Sequence, residues 1–160
     1  MKQARIIFGC TDLQVEIQPV AFDDMANTVP AESSASIRDR VIRARMIQQE
    51  RFKGDKGVYS NAQMNTRLLK KYAWPDAAGL EKLKERMEKL SMSARAFDRI
   101  LRVARTIADL ESAQILPADP SSEEYKEAVS KAVNKPVLSR HISEAIGYRN
   151  LDRSDYGTAF

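Results

Sequence analysis

The sequence predicts an all-α protein, a helical bundle with one short strand on its N-terminal side. Three observations carry this. Apolar residues recur at helical spacing along most of residues 33–153, with Ser or Asp where several of those runs begin and Gly or Pro where several end. Only Asp12 to Ile17 alternates with a period of two. At 160 residues, 43% hydrophobic and 30% charged, the chain has the size and composition of one domain with a sizeable core.

The elements follow in order. Leu13, Val15 and Ile17 alternate with Gln14 and Glu16 as one half-buried strand stopped at Pro19, and Pro19 to Glu32 reads as a linker. Residues 1–32 are therefore expected to be strand and linker. Ser33, Ser34 and Ser36 can each cap a helix whose Ile37, Val41, Ala44 and Ile47 share a face until Gly54 and Gly57 end it. A loop carrying Tyr59 and Asn61 to Met64 leads to a short helix with Leu68, Leu69 and Tyr72, which closes before Pro75. Asp76 caps a third helix with Leu80, Leu83, Met87 and Leu90 on one stripe, and Ser93 caps a fourth. In the fourth helix Phe97, Ile100, Leu101, Ala104, Ile107 and Ala108 make an apolar stripe. Gln114 to Pro136 is acidic at first and flanked by Pro and Ser, with a short helix from Glu123 to Val133 and few large apolar residues, so it is expected outside the main core. Ser139 then caps a last helix through Ile142, Ala145 and Ile146; the helical domain is expected over 33–153 and a tail over 154–160.

Charge and cysteine usage bound the function classes. The net charge is +4, but residues 33–110 hold 18 basic and 9 acidic side chains while the remainder is acidic. The middle is the part suited to a polyanion such as DNA, a nucleotide phosphate or an acidic neighbour. One cysteine, Cys10, allows no internal disulfide and no cysteine zinc site, which suits a reducing cytoplasm. No apolar run approaches the roughly 20 residues of a membrane span, and no membrane partner is expected.

Chemistry-bearing motifs are few. None of the six glycines stands in a G-x-x-x-x-G-K-[ST] loop, and Gly54-Asp55-Lys56-Gly57 reads as a helix-ending turn. Val20 to Asp24, an apolar run before two acids, reads as loop or cap because no phosphate loop precedes it. His141, the single histidine, sits in the first turn of a helix without a nucleophile signature and suits a surface or capping role. No catalytic residue and no metal ligand set is expected. Arg95, Arg99, Arg102 and Arg105 form a row at steps of four, three and three along the fourth helix. Such a row serves either as a solvated face paired with acids such as Asp98 and Asp109, or as a phosphate contact. Arg95 stands in the first turn, where backbone N–H groups and the helix dipole also attract anions. Arg99, Arg102 and Arg105 lie about 6, 10 and 15 Å further along the axis at 1.5 Å per residue and are expected to be structural or interfacial, with Arg99 and Arg102 as the candidates for phosphate or interface contacts.

Several strings resemble a known family. They are Glu32-Ser33-Ser34-Ala35-Ser36-Ile37-Arg38, Arg51-Phe52-Lys53-Gly54, Asn61-Ala62-Gln63-Met64, the long run from Leu90-Ser91-Met92-Ser93-Ala94-Arg95 to Ile107-Ala108-Asp109-Leu110, and His141 to Ile146 with Tyr148-Arg149. Together they resemble the C-terminal region of magnesium-chelatase-like AAA+ ATPases, the competence protein ComM group, over about Asp12 to Ser112 and Leu138 to Arg153. Residues 114–136 depart from the pattern and count as an insertion.

The resemblance implies a lid of the AAA+ type whose nucleotide-binding α/β domain lies outside this chain, with the short strand as that domain's remnant. It places Arg95 as the sensor 2 arginine that reaches the γ-phosphate, and it implies ATP and Mg in the parent motor with no cofactor held by the chain alone. The ComM group resembles hexameric DNA helicases of branch migration, whereas true chelatases insert Mg²⁺ into a porphyrin; the strings here are nearer the first. Homo-oligomerisation as a hexamer and contact with DNA are thereby implied for the parent. The family's L-L-D-R-I-D-L segment would put a finger arginine at Cys10, and Gly9-Cys10-Thr11 does not match. Two other readings fit the residues: a stand-alone basic helical DNA-binding module, and an interaction domain that docks on an acidic partner.

Overall fold

A computed structural model describes residues 31–149 apart from Ser91 and the Leu90 side chain, together with Leu13, Val15 and Pro19. The described residues form six helices: α1 (Ser34–Phe52), α2 (Thr66–Tyr72), α3 (Ala77–Leu90), α4 (Ala94–Gln114), α5 (Glu123–Val133) and α6 (Ser139–Gly147), with a 3-10 turn at Asn61–Gln63. The all-α expectation holds. Most of the expected strand over 12–17 lies outside the described residues, and its two described members, Leu13 and Val15, are exposed and belong to no strand. Cys10 and Val20 to Asp24 also lie outside them.

The caps explain why the helices begin where they do. Ser33 Oγ accepts from Ser36 N, Asn65 Oδ1 from Leu68 N, Asp76 Oδ1 from Gly79 N at 2.7 Å, Ser93 Oγ from Ala96 N and Ser122 Oγ from Tyr125 N. Each satisfies an amide that the first turn leaves without an internal partner. The last helix corrects the sequence expectation. Its N-cap is Leu138, one residue before Ser139, and His141 Nδ1 accepts the Leu138 N–H at 3.0 Å, because the imidazole reaches back where an apolar cap residue has no oxygen to offer.

The longest helix organises the rest. α4 packs against α1, α2 and α6, while α5 rests on α1 and α3 on α6. The main core joins Phe52, Met64, Leu68, Leu69 and Leu83 to Ile100, Leu101 and Ala104 of α4 and to Val137, Ile142, Ala145 and Ile146. A second cluster packs Ala44 and Ile47 of α1 on Ala113, Leu116, Tyr125, Val129 and Ala132. The segment 114–136 thus stands outside the main core yet builds this second one through α5.

Two local features position the ends of the bundle. A parallel bridge between Pro75 and Val137, with Asp76 N donating to Val137 O at 3.0 Å, ties the entry of α3 to the entry of α6. Gly79 makes that junction possible: a Cβ there would stand 2.8 Å from Asp76 Oδ1, 3.0 Å from Pro75 Cβ and 3.3 Å from Ile142 Cγ1. Along α1 the apolar stripe is only half used. Ala44 and Ile47 are buried, whereas Ile37 and Val41 remain 42% and 46% exposed because α1 runs past the elements that cover its second half.

Candidate functional site

The first turn of α4 is held in place from two sides. Ser93 caps it, and Phe97 makes an edge contact with the half-exposed Trp74 ring at 6.1 Å between centroids. Arg95 emerges from this turn exposed to solvent. Its side chain takes part in none of the ion pairs that engage Arg102 and Arg105.

The arginine row separates into distinct environments. Arg99 is half-buried. Arg102 donates through Nε and Nη2 to Met64 O at 3.1 and 2.8 Å, and stands 4.0 Å from Asp98, so it fastens the loop before α2 onto α4. Arg105 overturns the expectation of one arginine face: it is 1% exposed. The reason lies in the helix pitch. At 3.6 residues per turn a step of ten residues turns Arg105 about 80° away from Arg95, toward the edge of the apolar stripe.

What receives Arg105 is a buried polar hub that the spacing alone does not reveal. Asp109, 0% exposed, accepts from Arg51 through both oxygens, at 2.6 and 2.7 Å, and from Arg105 Nε at 3.1 Å. Asn61 Oδ1 accepts from Arg51 Nη1 at 3.1 Å, while Asn61 Nδ2 donates to Asp109 at 2.8 Å and to Thr106 Oγ1 at 3.1 Å. Gln48 Oε1 accepts from Asn61 N. Arg105 Nη1 also donates to Lys135 O at 2.5 Å, and Arg51 Nε to Val133 O at 3.3 Å. Burial pushes Arg105 below the ordinary arginine value, against the attraction of Asp109 and with the repulsion of Arg51. The hub joins α1, the 3-10 turn, α4, the end of α5 and the residues that follow it at one point. Arg51, Asn61, Arg105 and Asp109 all belong to the strings that carry the family resemblance, so much of that signature serves the interior.

A second polar junction closes the far end of α4. Glu111 accepts from Arg140 Nη2 at 2.7 Å and Nε at 3.2 Å, stands 2.6 Å from His141 Nε2 and 3.9 Å from Lys135 Nζ. The Arg140 guanidinium, then the His141 ring, hold its carboxyl down at about 2. His141 is 2% exposed and caps α6, which meets the capping expectation and corrects the surface one: Glu111 and the α4–α6 contact cover it. Among the described residues no group of three or more His, Cys, Asp or Glu side chains gathers to hold a metal ion, and no helix is long and apolar enough to cross a membrane.

These features define a helical C-terminal module of the magnesium chelatase type. The profile of the family "Magnesium chelatase, subunit ChlI C-terminal" matches residues 31–132, and the chain belongs to that family. Residues 114–132 fall inside the match, so most of the segment that departs from the resemblance lies within the family's span. Among individual proteins, the chain is similar to competence protein ComM of Haemophilus influenzae, 34% identical over 143 residues, covering 89% of this chain and 23% of that protein. It is also similar to the uncharacterized protein YifB of Escherichia coli, 29% identical over the same shares, and to YifB of Salmonella typhimurium, 33% identical over 76% of this chain and 19% of that protein. The chain spans about a fifth to a quarter of the length of these relatives.

Proposed function

We propose that the chain acts as the lid of an ATP-hydrolysing AAA+ motor, in which Arg95 senses nucleotide at the start of α4. The observation that supports this is the division of labour along the row. Arg102 and Arg105 are committed to Met64 O, Asp98 and Asp109, while Arg95 stays exposed on a capped first turn. A guanidinium there fits the phosphate end of a nucleotide, since its planar fork matches phosphate oxygens and the dipole adds attraction. The bound ATP and Mg would supply the reacting γ-phosphate and its charge neutralisation, and both require a phosphate-cradling domain from outside these residues. This chain's part is to present Arg95 and hold it still, through Ser93, Phe97 and the Trp74 contact. The parent on this reading is a cytoplasmic homo-hexamer that remodels DNA, as the resemblance to the ComM group implies. The test is ATP turnover with Arg95→Ala in a polypeptide that joins this chain to its nucleotide-binding domain.

A second reading has its own observation. Between residues 53 and 74 the cations Lys53, Lys56, Arg67, Lys70 and Lys71 are all exposed against one acid, Asp55, and Tyr59 and Trp74 are exposed beside them. Such a surface suits a stand-alone DNA-binding module, since cations track phosphates and aromatic rings stack on bases. DNA binding by the isolated chain that weakens with added salt and with paired Lys70→Glu and Lys71→Glu substitutions would favour it.

A further inference from the structure

The clasp between α4 and α6 makes two opposite demands on one imidazole. Nδ1 of His141 accepts the Leu138 N–H at 3.0 Å, and Nε2 stands 2.6 Å from Glu111 Oε2. A ring nitrogen that accepts carries no proton, so the neutral ring holds its proton on Nε2 and donates it to Glu111. A second proton would go to Nδ1. It would strengthen the pairing with Glu111 and at the same time set N–H against N–H at Leu138, removing the bond that caps α6.

The charged neighbours leave the ring as the group that responds. α4 brings Glu111; α6 brings Arg140, which shares that carboxylate; the residues after α5 bring Lys135, 3.9 Å from it. At the entry of α3, Asp76 Oδ1 accepts from Gly79 N, and from within α3 Lys82 Nζ donates to Ser143 Oγ. With its carboxyl held at about 2, Glu111 remains ionised throughout the range in which histidines titrate. Guanidinium and ammonium groups are of kinds that keep their charge there.

We propose that His141 is a proton-operated clasp. Neutral, it fastens the first turn of α6 to α4; protonated, it lets go of Leu138 and loosens that turn. Val137, the next residue back, accepts from Asp76 N at 3.0 Å, so the loosened cap adjoins the bridge that ties in α3. Acid therefore frees the entries of α3 and α6 together, while the Arg51–Asp109 hub on the other helices stays closed. The clasp is independent of nucleotide sensing.

NMR on the whole chain tests it, helped by His141 being the only histidine. Ring nitrogen shifts and the protection factor of the Leu138 amide are followed from about pH 8 to about pH 4.5, the range of imidazole titration. The expected results are an Nε2–H tautomer at the upper end and a fall of about tenfold in Leu138 protection with the ring's own midpoint, the factor that one lost hydrogen bond gives. In Glu111→Gln the two midpoints should stay together, and in His141→Gln the pH step at Leu138 should vanish. An Nδ1–H tautomer, Leu138 protection that does not change while the ring titrates, or midpoints that separate in Glu111→Gln would overturn the proposal.

Discussion

Asp109 is the charge on which the interior depends, because among the described residues it is the carboxylate shared by two buried guanidiniums. Asp109→Asn keeps the shape and removes that charge, leaving Arg51 and Arg105 to repel each other out of reach of water. The expected loss is about 3–5 kcal/mol, read as a fall in the urea midpoint. Arg95→Ala is the contrasting case: an exposed side chain outside those ion pairs should change stability by less than about 1 kcal/mol. The sequence made the four arginines visible but not their separation. A row at steps of four, three and three drifts around the helix, and only the acids and amides supplied by distant segments, Asn61 above all, tell which member turns inward. Arg51 and Asn61 could have been suspected from one signal, two polar residues set among strings whose neighbours Phe52 and Met64 are apolar.

At the scale of elements, caps were legible and coverage was not. Ser33, Asp76 and Ser93 start their helices as their chemistry requires, and the short helix from Glu123 to Val133 has the bounds its residues predict. That α5 would build a second cluster on α1 was hidden, since Tyr125, Val129 and Ala132 are few and become a core only opposite Ala44 and Ile47. Leu138 as a cap was likewise hidden, because the bond comes from a side chain three residues ahead. α3 rests on α6 and buries Gly79 and Leu83 among its described residues. Gly79→Val would push on Pro75 and Ile142 and displace the Asp76 cap. Overpacking and a lost cap together should cost about 2 kcal/mol or more, outweighing any relief from glycine's poor helix propensity, and thermal melts would show it. The α4–α6 junction gives a pH dependence with a definite sign. The Glu111 carboxyl falls from 4.5 to about 2 on folding, so its stabilisation is fully present above about 4.5 and is lost as pH drops toward 2. The melting difference between the wild type and Glu111→Gln should therefore be largest above that window and vanish at its lower end.

At the scale of the molecule, the chain supplies a helical body with Arg95 exposed on the capped first turn of α4. On the proposed reading it has no phosphate cradle of its own, so the isolated chain should neither hydrolyse ATP nor bind it with micromolar affinity, which calorimetry can check. On the proposed reading Arg95 works on nucleotide while Arg105 works on the fold. Steady-state ATPase rates, with melts on the same samples, for Arg95→Ala and Arg105→Ala in a polypeptide that joins this chain to its nucleotide-binding domain, test it most directly. Arg95→Ala should lower turnover about tenfold or more with an unchanged melt, as when a charge stabiliser of phosphoryl transfer is removed, while Arg105→Ala should lower the melting temperature first. Full turnover in Arg95→Ala, or a loss that only tracks unfolding, would contradict it.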